Sequence, residues 1–211
     1  MDALWPALAV LALSQAQAAA APAAVQTASV SAAARPTPAS KVVRVFAERP
    51  DEYETGALHI VYSDGLDVAE TVPATAAPKT EDSQAGFSEL DVASDRQTVG
   101  WGETYWEGGQ SYPVPLVLTL YRSGKILQRI RQGQMLWVWT FLDGANRVAA
   151  LWGTTHGSDS GTYRLYDVKT GQMLAEFYGE EDIRDLDGNA PGWVKQLAQK
   201  PRLSHRIASW P

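Results

Sequence analysis

The chain reads as an all-β protein: two antiparallel four-stranded sheets, an N-terminal hairpin and a short C-terminal helix. Three observations predict this. From Ala57 onward, short apolar runs return at intervals of about ten residues, each bounded by turn residues. Several runs alternate apolar and polar side chains, the signature of a strand with one buried face. Two later stretches repeat the same order of strands and turns.

In order along the chain, Leu58, Ile60 and Tyr62 alternate with His59 and Val61. Ser63-Asp64-Gly65 then makes a tight turn, and Leu66, Val68 and Val72 return. A polar, Pro-containing loop over Pro73 to Ala85 leads to strands at Phe87 to Val92 and Thr98 to Trp106, with a turn around Ser94-Asp95-Arg96. Gly108-Gly109 breaks the chain. Leu116 to Arg122 and Ile126 to Arg131 flank the turn Ser123-Gly124-Lys125. Met135 to Leu142 is apolar on both faces, which predicts a strand in the middle of a sheet. Asp143-Gly144 turns the chain into Arg147 to Trp152. After the loop Thr154 to Gly161, strands at Thr162 to Val168 and Gln172 to Tyr178 form a hairpin across Lys169-Thr170-Gly171. Asn189-Ala190-Pro191-Gly192 predicts a helix start, with Asn as cap and Pro in the first turn, and Trp193 and Leu197 on one face.

Residues 1–20 read as a secretory signal. Ala3 to Leu13 suits an apolar signal core and is too short to span a bilayer, and Ala16-Gln17-Ala18 is a small-x-small cleavage pattern. The start departs from the usual pattern, with Asp2 and no Lys or Arg before the apolar run. Residues 21–40 form an Ala/Pro-rich segment with one charge, Arg35, and no periodic apolar face, which predicts a flexible leader. One all-β domain is expected over 41–211. The chain holds no cysteine, so disulfides, thiolate metal sites, cysteine nucleophiles and a lipoprotein anchor are excluded. The formal charge of −6 becomes −5 when Asp2 leaves with the signal, an acidic balance that argues against duplex nucleic acid as a partner. The mature chain has no stretch apolar enough for a membrane span.

The internal repeat covers about 87–133 and 134–179. Val99 precedes Val148 by 49 residues, and Gly124 precedes Gly171 by 47. The second unit ends in Leu165-Tyr166-Asp167-Val168-Lys169-Thr170-Gly171-Gln172-Met173-Leu174. That segment resembles the outer hairpin of β-propeller blades, in which an aromatic residue or Asp precedes a Lys-x-Gly turn. The chain also resembles uncharacterised small secreted bacterial proteins, a resemblance that implies no activity. It implies propeller-blade-like sheets, but two units and a hairpin are too few to close a ring, which takes at least about four blades. Either two sheets pack face to face, with the hairpin added to one, or chains assemble to complete a ring; the first needs no partner and is the arrangement expected.

Trp101, Tyr105, Trp106 and Tyr112 surround the Gly108-Gly109 loop and are the candidate ligand-binding residues. Flat aromatic faces beside a Gly-rich loop can stack on sugar rings, although aromatics more often serve core packing. Trp137, Trp139 and Phe141 alternate with Leu136 and Val138, so at least two of them are expected in the core. His59, His156 and His205 fall in different elements with no metal-ligand spacing. The loop Thr154 to Gly161 holds Ser158, His156 and Asp159, yet neighbours in one loop do not form the relay a hydrolase needs. Glu180, Glu181, Asp182, Asp185 and Asp187 lack calcium-loop spacing. Arg122, Lys125, Arg129 and Arg131 suggest an edge hairpin guarded by charge.

No catalytic residues, cofactor or metal site are expected. The reading is a non-catalytic exported envelope protein, periplasmic or secreted, that binds an unidentified protein. The alternatives are a module that binds envelope polysaccharide through the aromatic loop around Trp106 and, more weakly, a hydrolase.

Overall fold

A computed structural model describes residues 36–37, 39–49, 55–73, 83–107, 111–154, 161–179 and 189–200. The signal (1–20), most of the leader, Gly108-Gly109, His156 with its loop, the acidic stretch Glu180 to Asp187, His205 and Trp210 lie outside the described residues.

The described residues form three antiparallel sheets and one short helix. The first sheet holds β1 (Val42–Ala47), β2 (Leu58–Tyr62) and β3 (Asp67–Glu70) in that order. The second is a four-stranded meander of β4 (Gln84–Val92), β5 (Thr98–Tyr105), β6 (Val114–Arg122) and β7 (Lys125–Arg131). The third repeats that topology with β8 (Met135–Leu142), β9 (Arg147–Gly153), β10 (Gly161–Asp167) and β11 (Met173–Gly179). Helix α1 (Gly192–Ala198) follows.

The turns explain why the meanders form. Ser123 and Gly124 both take positive φ, 51° and 79°, the pairing that two-residue hairpins require to match strand twist. In the β10–β11 turn, Asp167 accepts from the Thr170 amide at 2.7 Å and its hydroxyl at 2.8 Å. Those bonds hold the Asp167 carboxyl below its ordinary pKa.

The sheets stack. Val99, Trp101 and Tyr121 of the second sheet meet Val42, Leu58, Ile60 and Tyr62 of the first. On the opposite face, Leu118, Leu120 and Ile130 meet Leu136, Trp139, Val148, Trp152 and Tyr166 of the third. The far face of the third sheet, with Val138, Leu151, Tyr163 and Leu165, receives Val194 and Leu197 of α1. Covering both faces of the second sheet removes the need for polar side chains there, and eight of the nine residues of β6 are buried. Gly100 lets the second and third sheets approach: a Cβ there would lie 2.6 Å from Trp139 Cη2.

Four expectations are corrected. The N-terminal hairpin is part of a three-stranded sheet, because β1 pairs with β2. That sheet stands as a third layer rather than extending one of the other two. β8 is an edge strand, not a central one. Its run of apolar residues reflects cover on both faces, by the second sheet and by α1. The helix starts with Pro191 at the N-cap position and no side-chain cap, rather than at Asn189. Val194 joins Leu197 on its buried face, and Trp193 is half-buried. Among the described residues, no helix is long and apolar enough to cross a membrane.

Candidate functional site

The four aromatic residues picked out in the sequence do not form one surface. Trp101 is 1% exposed and packs between the first two sheets, in edge contact with Phe87 at 6.4 Å and tilted against Tyr121 at 6.0 Å. It is a core residue, and large buried aromatic area is reason enough for its presence. Tyr105 and Tyr112 pack with Val114, Leu116, Val117, Met135 and the half-buried Trp137 at one end of the stack. Trp106 is half-buried beside them in the chain, and its amide donates to Ser83 O at 3.0 Å.

Beside Tyr105 lies a polar network. Glu103 is 3% exposed and accepts three hydrogen bonds: from Thr119 Oγ1 at 2.6 Å, Tyr105 OH at 2.7 Å and Arg129 Nε at 2.9 Å. Burial, then the Glu103 carboxylate, pushes the Tyr105 phenol well above its ordinary value. Burial likewise raises Glu70, helped by the charge of Glu103 and opposed by Arg129. The donors around Glu103 satisfy a buried charge, which is a structural requirement in itself.

The basic residues divide similarly. Arg122 is a staple: Nε donates to Thr98 Oγ1 at 2.6 Å, and Nη2 to Asp95 Oδ2 and to Ala145 O, each at 3.2 Å. Burial works to raise Asp95, but the Gln97 and Thr98 amides, the Thr98 hydroxyl and Arg122 outweigh it and hold its pKa low. Arg129 serves Glu103, and Arg131 lies 5.3 Å over the Tyr105 ring. Lys125, Arg129 and Arg131 are exposed on β7, which is an edge strand as expected. An open cleft of about 350 Å³ lies beside the β8–β9 turn, where Asp143, Gly144 and Ala145 take φ of 50°, 62° and 74°. The Asp91 carboxylate and Lys200, 3.5 Å apart, line it. Among the described residues, no group of His, Asp and Glu is arranged to hold a metal ion.

Among the described residues, the most exposed apolar surface lies elsewhere, where the second and third sheets are offset. β7 ends its sheet above β10. Gln128 Nε2 donates to Lys169 O at 2.9 Å, Arg164 Nη1 donates to Gln132 Oε1 at 2.6 Å, and Ile130 shares a core cluster with Tyr166. β11 lies one strand further out. Its register places Met173 and Tyr178 on the same face as Tyr166 and Thr162, the face turned toward the second sheet. Exposure rises from 1% at Tyr166 to 49% at Met173 and 61% at Tyr178, because the second sheet does not reach over them. Between them Glu176 accepts from Arg164 Nε at 2.7 Å. The result is a ledge: β11 as floor, the outer edge of β7 as step.

These residues fall on a predicted strand and outside the candidate site expected from the sequence. One signal was present. Met173-Leu174-Ala175-Glu176-Phe177-Tyr178 is apolar on both faces, and Ala175 and Phe177 alone supply the face packed toward α1. No protein-family model matches the chain, and no curated protein matches its sequence.

Proposed function

We propose that the chain is a non-catalytic, exported envelope protein that binds a partner protein, and that the ledge is its contact surface. The observation that carries this reading is the concentration of exposed apolar side chains. Of the four large hydrophobic residues left exposed among the described residues, three, Met173, Leu174 and Tyr178, share β11, and the fourth is Val43. Scattered exposed apolar residues are ordinary, but a contiguous group on the outermost described strand of a sheet marks a contact surface. Export rests on the apolar run and the Ala16-Gln17-Ala18 pattern. A photo-cross-linking residue in place of Tyr178, in cells of the source organism, is expected to give one discrete protein adduct in the envelope fraction. An absence of adducts, or a smear indistinguishable from that of a polar surface position, would refute the reading.

A second reading is binding of an envelope polysaccharide. It is favoured by the gathering of Tyr105, Tyr112 and Trp137 at one end of the stack, with the half-buried Trp106 next to Tyr105 in the chain. Indole fluorescence titrated with peptidoglycan fragments and exopolysaccharides should respond in the native chain and not in Trp106→Ala. Equal, unchanged emission in both removes this reading.

A further inference from the structure

We propose that β3 is an acid-closed clasp: a proton on Glu70 seats the outer strand of the first sheet against the second sheet, and loss of that proton loosens it. The clasp goes beyond the partner-binding reading and does not depend on it. Three observations carry it. First, register puts Glu70 on the inner face of its sheet. Glu70 pairs with Leu58 and Val68 with Ile60, and Leu58 and Ile60 are fully buried against the second sheet. Residues opposite one another in a sheet share a face, so Glu70 points into the same layer. Burial alternates along β3: Val68 and Glu70 are half-buried, Asp67 and Ala69 exposed. One of the two inward side chains of this four-residue strand is therefore a carboxyl group.

Second, the facing surface of the second sheet already holds a carboxylate and the cation that serves it. Trp101, Thr119 and Arg129 lie in one row across β5, β6 and β7, and Trp101 packs on the first sheet. On that face Glu103 accepts from Thr119 Oγ1 at 2.6 Å and from Arg129 Nε at 2.9 Å. Arg129 is thus committed to Glu103 before Glu70 is counted. Two carboxyl groups, one from each sheet, share one guanidinium. Tyr105, which donates to Glu103, Arg131 over the Tyr105 ring, Tyr62 and Tyr121 share this layer, and the charge of Glu70 raises the Tyr121 phenol further. His59 and Asp67 fall on the outer face of the first sheet. Third, the surroundings of Glu70 disfavour its charge. Burial above all, and the charge of Glu103, raise its pKa, and Arg129 does not cancel them. A carboxyl group raised in the folded state contributes stability fully below its ordinary value of 4.5 and loses it as pH rises through the folded value. Ionised Glu70 is drawn toward water. β3 can follow it, because β3 pairs only with β2 among the described residues and a short outer strand has few contacts to lose.

Residue-resolved amide hydrogen exchange of the purified chain, corrected for the intrinsic pH dependence of exchange, tests the clasp between about pH 4.5 and pH 8. The native chain is expected to lose protection in β3, relative to β6, by about threefold or more as pH rises, and Glu70→Gln to keep its acid-pH protection throughout. His59 bonds Asp67 of β3 on the outer face and also carries a raised pKa, so both proteins are measured again with His59→Gln. The difference made by Glu70→Gln is expected to persist there. Equal pH profiles with and without Glu70→Gln would overturn the proposal, as would a response that disappears with His59→Gln. Lower protection of β3 in Glu70→Gln at neutral pH would overturn it too, because the ionised carboxylate beside Arg129 would then be what holds the strand. A carbon-13 titration of the Glu70 carboxyl in the native chain needs no variant. Its midpoint is expected above 4.5, and a midpoint at or below that value would overturn the clasp by itself.

Discussion

Gly100 and Trp139 meet where the second and third sheets pack closely, and a double-mutant cycle across that contact tests the stacking directly. A Cβ on Gly100 would lie 2.6 Å from Cη2 and 3.0 Å from Cζ3 of Trp139, and 3.2 Å from Cζ of Phe141. Trp139 is 4% exposed and held edge-on against Phe141 at 5.1 Å, so the ring has no open direction in which to swing. Gly100→Ala therefore costs about 1–3 kcal/mol, the range for inserting a methyl into a packed core. Trp139→Ala costs about 3–5 kcal/mol through lost burial and the void it leaves. In the Trp139→Ala background the new methyl at Gly100 enters that void. The double variant should thus be more stable than the sum of the two costs predicts, by about 1–3 kcal/mol. Urea unfolding, followed by circular dichroism, measures all four proteins. Additivity within about 0.5 kcal/mol would mean that the sheets do not meet at these residues.

Three further predictions follow from the same packing. His59 lies between Asp67, 3.0 Å from Nδ1, and Glu48, 3.3 Å from Nε2; the Asp67 bond above all raises its pKa above 6.5, against the opposing effect of burial. A raised folded-state pKa gives a contribution fully present below the unfolded value and lost as pH rises through the folded one. Urea midpoints should therefore fall between about pH 5.5 and pH 8.5, with a smaller fall in His59→Gln; equal falls would contradict the pairing. Glu103→Ala leaves the buried Thr119 hydroxyl and the Tyr105 phenol without their acceptor while the exposed Arg129 returns to water, so a loss of about 1–3 kcal/mol is expected in the same assay. A loss near zero would show that water replaces the carboxylate. Ser123→Asn places a residue more tolerant of φ 51° in the β6–β7 turn and should raise stability by about 0.5–1 kcal/mol. A decrease would contradict the turn geometry.

Most strands were legible because their turns are local. Ser63-Asp64-Gly65, Ser123-Gly124 and Lys169-Thr170-Gly171 reverse the chain by their own conformational preferences, and the flanking runs then pair as neighbours. β1 was missed because a bulge between Val42 and Arg44 breaks the alternation, so Val42, Val45 and Ala47 face the core out of period. The position of β8 was misread because an apolar run reports cover on two faces and says nothing of neighbours on two edges. Trp101 was drawn into the candidate site by nearness in sequence to Trp106, while its strand aims it into the core. The ledge was hidden for a deeper reason. It depends on the offset between two sheets, a relation that no single strand encodes.

Occupation of the ledge is tested most directly by hydroxyl-radical footprinting of the chain, purified and in intact envelopes. In purified protein, Tyr178 and Met173 should be modified rapidly while Tyr166, Tyr163 and Tyr121, each about 1% exposed, are protected. In the envelope, Tyr178 and Met173 should become protected as well. Modification of those two residues at the same rate in both settings would contradict the account.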